Sequence, residues 1–381
     1  MTQINDQKPG DVAKDLWSQI FERGAAHPGA AIMDTAYDPR EDEARAKAGF
    51  AAAGWSEKEI ATLLESAKRH EAEAPSTSPG VNRSAEAFHA ALCNDVEAEM
   101  ARQGLETQLN VARGIEPVTG PRAAKVGVMM TDESIVTVGA FTFRFCGLIA
   151  KAFHRTVLLD AFYWESDRFD PEGARLRLLS DPALTGYWTR VYMSFSMTGT
   201  NAAVPFEAAP PAQVYLVEQI ARAMEIFVIA HEYGHHHHGH GREMGADPRA
   251  EEFAADQFAL QIGRPIGERD RTPVWNPYLA SGAGGVIILR SLQTLRRFEH
   301  AFGAALPQED THPEVAERVA RFDSVAVMEP ETFGVLQGFR TTSERIMLAV
   351  DALMREFIEA MPEDGRRNLT EIRARLCEQL A

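Results

Sequence analysis

The sequence predicts an α+β fold, mostly helical, with a small sheet and helical extensions at both ends. Three observations lead there. Between residues 217 and 228 apolar side chains recur every three or four positions (Val217, Ile220, Met224, Phe227, Val228), the period of a helix with one apolar stripe. Residues 126–130 and 157–162 are short, apolar and partly β-branched, as strands are. The stretch "TRVYMSFSM", residues 189–197, alternates: Val191, Met193, Phe195 and Met197 fall on one side, Arg190, Tyr192, Ser194 and Ser196 on the other. That pattern predicts a strand with one buried face.

Taken in order, residues 1–72 read as short alanine-rich helices, with Ser56 and Glu59 forming a capping box ahead of Ile60, Leu63 and Leu64. The Pro/Ser/Gly-rich residues 73–83 read as a linker or exposed loop, and residues 85–103 as another helix. Residues 135–153 are apolar enough for either strand or helix. The expected organisation is a helical N-terminal region (1–115), a core domain (116–335) and C-terminal helices (336–381).

The chain has 381 residues, 45% apolar and 25% charged, the composition of an ordinary globular protein. A net charge of −16 and a sequence pI near 5.3, with no basic stripe, argue against a nucleic-acid partner. Cys93, Cys146 and Cys377 are odd in number and widely spaced, which suits a reducing cytoplasm better than a disulfide framework. The N-terminus lacks the regions of a signal peptide. Arg144 and Lys151 interrupt the most apolar long stretch, so no membrane span is expected.

The chemistry concentrates in "AHEYGHHHHGHG", residues 230–241, which holds six histidines. Continued onward, the helical stripe passes through His231 and His235, one turn apart, so both imidazoles reach a single ion. Glu232 lies on the adjacent face, close enough to polarise a metal-bound water without ligating. This is H-E-x-x-H on a helix. His236 and His237 turn off that face. His238 returns to it but sits about 10 Å from His231 along the axis, too far to share its ion. His240 follows Gly239 at the expected fraying end. These four are assigned a solvent-exposed or adventitious role. The rival reading, a histidine-rich metal store, would make them ligands.

A third ligand has to come from elsewhere. Asp247 and Pro248 are an N-cap and first position for a second helix. If that helix runs antiparallel to the first, Glu252 comes level with His235. Glu252, Asp256, Ala259 and Gly263 share one face, whereas Glu251 continues into the apolar Ala255, Phe258 and Ile262. Glu252 is therefore the preferred ligand and Asp256 a carboxylate that fixes a ligand imidazole's tautomer. Two histidines and a glutamate leave a fourth position open, the arrangement of catalytic zinc.

"HEYGH" followed by "EFAAD" resembles the gluzincin metallopeptidases, whose pattern is H-E-x-x-H followed by a helix bearing E-x-x-A-D. The resemblance spans about residues 187–325 and implies a zincin-like core. It places zinc ligands on His231, His235 and Glu252, the general base on Glu232 and a supporting aspartate on Asp256. Downstream, "THPEVAERVARF", residues 311–322, resembles the S/T-H-P…R segment of the membrane-embedded prenyl-protease and heat-shock metallopeptidases. Without membrane spans, this chain looks more like the soluble intracellular gluzincins.

The expected function is hydrolysis of a protein or peptide substrate in the cytoplasm with one Zn2+ per chain, and with neither nucleic acid nor membrane as partner. Residues 189–197 are the expected substrate-binding edge strand. His312 either donates to the oxyanion or merely belongs to a His-Pro cap on a helix 314–322. Tyr187, Tyr192, Tyr233 and Tyr278 are alternative donors. A competing reading is a non-catalytic, zinc-stabilised module that binds a protein partner through its N-terminal helices.

Overall fold

In the computed structural model of the chain, proline and glycine mark most of the boundaries around the site. The described residues are 12–14, 16–17, 39–73, 83–105, 111–116, 118–128, 131–157, 171–241, 246–269, 275–303, 312–325 and 330–380. Three helices come first: α1 (Pro39–Ala52), α2 (Glu57–Glu73) and α3 (Arg83–Arg102). The expected capping box opens α2, with Ser56 N–H donating to Glu59 Oε2 (2.8 Å) and Glu59 N–H to Ser56 Oγ (3.3 Å). The 73–83 linker falls mostly outside the described residues.

A three-stranded sheet follows, β1 (Val111–Glu116), β2 (Ala123–Gly127) and β3 (Ser134–Gly139), in the order β1-β3-β2. The centre, β3, is buried throughout, pairing parallel with β1 and antiparallel with β2. The ambiguous 135–153 stretch is both things in turn: β3, then α4 (Thr142–Thr156). Of the expected strand at 157–162, Val157 caps α4 and the rest lies outside the described residues.

The alternating 189–197 stretch is not a strand. It is the second half of α6 (Pro182–Thr198), which follows α5 (Pro171–Ser180). Asp181 caps α6 through the N–H groups of Ala183 and Leu184, Pro182 takes the first position, and left-handed Gly199 (φ 67°) ends it. Alternation misleads because Tyr192 counts as polar in it. In the structure Leu184, Tyr187, Trp188, Val191, Tyr192 and Phe195 are all buried, at helical spacings of three and four. Tyr192 stacks between Trp188 and Phe298, which makes it a core residue.

The longest buried helix is α7 (Pro211–His237), with Pro211 at its start. It packs against α3, α4, β2 and β3, and against the later α8 (Pro248–Glu268), α9 (Pro277–Ala280) and α10 (Ala283–Ala301). Burial goes well beyond the single stripe expected: residues 223–227 and 229–234 are buried on every side. The chain closes with α11 (Val315–Ala320), a 3-10 turn (Phe322–Val325), α12 (Pro330–Ala360) and α13 (Glu363–Leu380). One apolar core runs from Leu92 on α3 to Met354 on α12. Among the described residues, no helix is long and apolar enough to cross a membrane.

Candidate metal centre

The two helices of the motif touch at Gly234. A Cβ there would come within 3.0 Å of Ala255 Cα and Phe258 Cβ, so only glycine lets α7 and α8 approach this closely. The α8 N-cap is Asp247, accepting from Arg249 N–H at 3.0 Å, which sets the phase that turns Glu252 inward. Three donor groups then converge. His231 Nε2 lies 3.1 Å from His235 Nε2 and 3.4 Å from Glu252 Oε2, and His235 Nε2 lies 3.3 Å from Glu252 Oε1. A tetrahedral zinc with bonds of about 2.0–2.1 Å holds neighbouring ligand atoms about 3.3 Å apart, so this triangle has the size a zinc ion requires. Among the described residues, this is the one group of three or more metal-type side chains that could share an ion.

Partners behind the triangle orient it. Asp256 Oδ1 lies 3.0 Å from His231 Nδ1, an ion-pair contact rather than a well-aligned hydrogen bond. Asp256 is itself clamped by Arg318 of α11, whose Nε and Nη2 donate to its two oxygens at 2.7 and 2.6 Å. A third guanidinium nitrogen, Nη1, lies 3.5 Å from Glu252 Oε2. Burial disfavours charge on His231, yet Asp256 and Glu252 outweigh it and raise its pKa to about 9. Burial likewise opposes charge on Glu252, but the two histidines hold it well below the usual carboxylate range. The field between these residues therefore favours a cation.

Glu232 is 8% exposed, and burial pushes its pKa up, with Glu252 adding to that, against His231, His235 and the backbone N–H of Lys125, which favour the carboxylate. That last contact locates an open sheet edge. Arg122 C=O accepts from Gly139 N–H of β3 and Val128 N–H donates to Glu133 C=O just ahead of it, so residues 122, 124, 126 and 128 turn their backbone groups inward. Ala123, Lys125 and Gly127 turn theirs outward, and Lys125 meets Glu232. The edge strand beside the metal triangle is β2, and α6, which holds 189–197, is not part of the sheet.

The remaining histidines divide in two. His237 and His238 are exposed, as expected. His236 is not: it is 8% exposed, and its Nδ1 lies 2.8 Å from Ser134 Oγ at the start of β3. Nor does His240 fray away. Gly239 (φ 66°) closes α7 with Gly239 N–H bonding His236 C=O and His240 N–H bonding His235 C=O, which folds the chain back on itself. His240 Nδ1 thereby comes to 2.9 Å from His235 Nδ1, while Lys125 Nζ holds His240 C=O at 2.8 Å. Burial and His235 lower the His240 pKa to about 4, so its ring is neutral and able to accept the His235 Nδ1–H. In the tautomer with that proton on Nδ1, His235 Nε2 is free to face the triangle.

His312 stands at the mouth, its side chain 45% exposed and its Nε2 3.5 Å from Glu252 Oε1. The cap of α11 is Glu314, which leaves His312 outside the helix. All four tyrosines are buried to 1% exposure or less. Tyr233 donates its hydroxyl to Glu97 on α3, and the others are embedded in the core. Glu251, the weaker ligand candidate, accepts Gly241 N–H at 3.0 Å near the surface, away from the triangle.

Arg318 is the site residue that sequence reasoning passed over. It lies 62 positions from Asp256, and its only signal was the arginine that follows "THP". Compared with protein-family models, curated proteins and solved structures, the chain matches none of them.

Proposed function

We propose that this protein is a zinc-dependent metallopeptidase of gluzincin type, acting on protein or peptide substrates in the cytoplasm. The observation that carries the reading is the triangle of His231, His235 and Glu252, at zinc-ligand spacing, with the buried Glu232 carboxylate beside it. Bound there, zinc supplies Lewis acidity for a scissile carbonyl and makes a neighbouring water acidic. Glu232 takes the proton of that water and hands it to the leaving amine. Its burial raises its basicity, and the Lys125 N–H keeps the carboxylate oriented. The outward backbone groups of Ala123 and Gly127, with the Lys125 C=O, hold an extended peptide along β2 by strand addition. His312 donates to the oxygen that becomes negative as the carbonyl is attacked.

The direct test is metal analysis of the purified protein, combined with cleavage of a proteome-derived peptide library by the wild type and by Glu232→Gln. One zinc per chain with cleavage only by the wild type is the expected result. One tight zinc with no cleavage by either would favour the non-catalytic module.

Two lesser predictions concern the supporting residues. Asp256→Asn is expected to weaken zinc binding about 10–100-fold, the range for a carboxylate behind a ligand histidine. Competition with a chelating dye measures it, and wild-type affinity would remove Asp256 from the site. Among the extra histidines, the double change His237→Gln/His238→Gln is expected to leave tight zinc binding unaltered. His240→Ala is expected to lower it about tenfold, because His235 loses its Nδ1 acceptor. His236→Ala is expected to cost about 1 kcal/mol in thermal unfolding through the lost Ser134 bond. Equal behaviour of all four would show that the fold-back at Gly239 has no influence on the ligands.

A further inference from the structure

At the far end of α7 from the histidines lies a cavity of about 580 Å³, walled by the end of α4, by α5 and α6, and by the segment leading into α7. Its α7 wall includes Val217, fourteen residues before His231, which is about 20 Å along the axis. Among the described residues, Lys151, His154, Arg155 and Arg177 line it, with Glu207 as the acid. In a chain of net charge −16, that local excess of positive charge is out of keeping with the surface. Glu207 is already engaged: its Oε2 accepts from Arg155 Nη1 (2.8 Å) and its backbone C=O from Lys151 Nζ (2.8 Å).

Among the described residues, two polar atoms on the lining have no hydrogen-bond partner. The hydroxyl of Tyr187, a residue only 1% exposed, is buried without a hydrogen bond, and so is Arg177 Nε. The Arg155 guanidinium lies over the Tyr187 ring at 4.9 Å, which fixes the ring's face and leaves the hydroxyl as its polar end. The cations also crowd one another. Burial and then Arg144 push the Lys151 pKa down, and burial followed by Arg177 and Arg155 does the same to His154. Buried donors left unmade and like charges held together are both costly, and an anion in the cavity would relieve both.

We propose that this cavity binds a small molecule bearing a phosphoryl group. Arg177, Lys151 and Tyr187 supply donors to the phosphoryl oxygens. Ala53, Val157, Ala209 and Val217 supply apolar wall for an organic remainder. The volume lies within the roughly 300–1,000 Å³ of small-molecule sites and exceeds what a bare phosphate fills. The site is separate from the metal centre and stands whether or not the protein is a peptidase.

The test is isothermal titration of the full chain with pyrophosphate and with glycerol 3-phosphate, using glycerol as the neutral control. Both anions are expected to bind saturably at one site while glycerol gives no heat. Arg177→Gln is expected to weaken binding at least about tenfold, the usual effect of losing a charge-assisted hydrogen bond. Lys151→Gln serves as a second variant should Arg177→Gln melt abnormally. Glu207→Gln is expected to tighten binding, since it removes a competing carboxylate. His231→Ala is expected to leave anion binding at this cavity unchanged. The proposal is overturned if neither anion binds, if both basic-residue variants bind as the wild type does, or if Glu207→Gln weakens binding.

Discussion

Glu232→Gln is expected to cut peptide hydrolysis by about 10²–10⁴-fold while the protein keeps its fold and its zinc. Glutamine has the size and shape of glutamate, so the packing of this 8%-exposed side chain between α7 and β2 is preserved. What is lost is the ability to take a proton. An amide also cannot return one to the leaving amine, so both halves of the reaction suffer. The side chain does not belong to the triangle formed by His231, His235 and Glu252, so zinc content should stay at about one per chain. Metal content and cleavage rate are measured on the same preparation, which separates loss of the base from loss of the metal. A rate within tenfold of wild type, with zinc retained, would remove Glu232 as the base and the peptidase reading with it.

The residues that cluster at the centre were legible because helix periodicity links positions that are close in sequence. The spacing of His231 and His235, the Asp247-Pro248 start of α8 and the depth of Glu252 within it are all local facts, and only ten residues separate the two helices in sequence. Contacts across the fold were not legible. Arg318 reaches Asp256 from another helix, and Lys125 reaches Glu232 from a strand more than a hundred residues earlier. His240 failed for a subtler reason. A glycine that ends a helix suggests a release of the chain, whereas in its left-handed conformation Gly239 turns the chain back onto His235. At 189–197 a tyrosine counted as polar conceals a helical stripe that begins five residues earlier, at Leu184. Tyrosine is amphipathic, and the ring of Tyr192 decides its place in this core.

Glu252→Ala is expected to lose tight zinc binding, by more than the 10–100-fold that a supporting carboxylate is worth, while Glu251→Ala keeps it. Glu252 contributes the only carboxylate of the triangle, and its two oxygens face both imidazoles at 3.3–3.4 Å. Asp256 cannot replace it, because Arg318 holds both of its oxygens. Glu251 binds the Gly241 N–H on the outer side of the turn, so its removal leaves the triangle intact. A dye-competition titration of the two variants distinguishes them, and zinc lost from Glu251→Ala but kept by Glu252→Ala would overturn the ligand set. Thermal unfolding adds a second reading, because metal binding and folding are coupled. Zinc is expected to raise the melting temperature of the wild type and of Glu251→Ala, but not of Glu252→Ala. In the presence of a chelator, Glu252→Ala should melt below the wild type as well. The variant then takes one carboxylate away from the buried Arg318 guanidinium, 7% exposed, and from beside His231. That metal-independent deficit measures how far Glu252 serves the fold, and the zinc-dependent part measures how far it serves the ion.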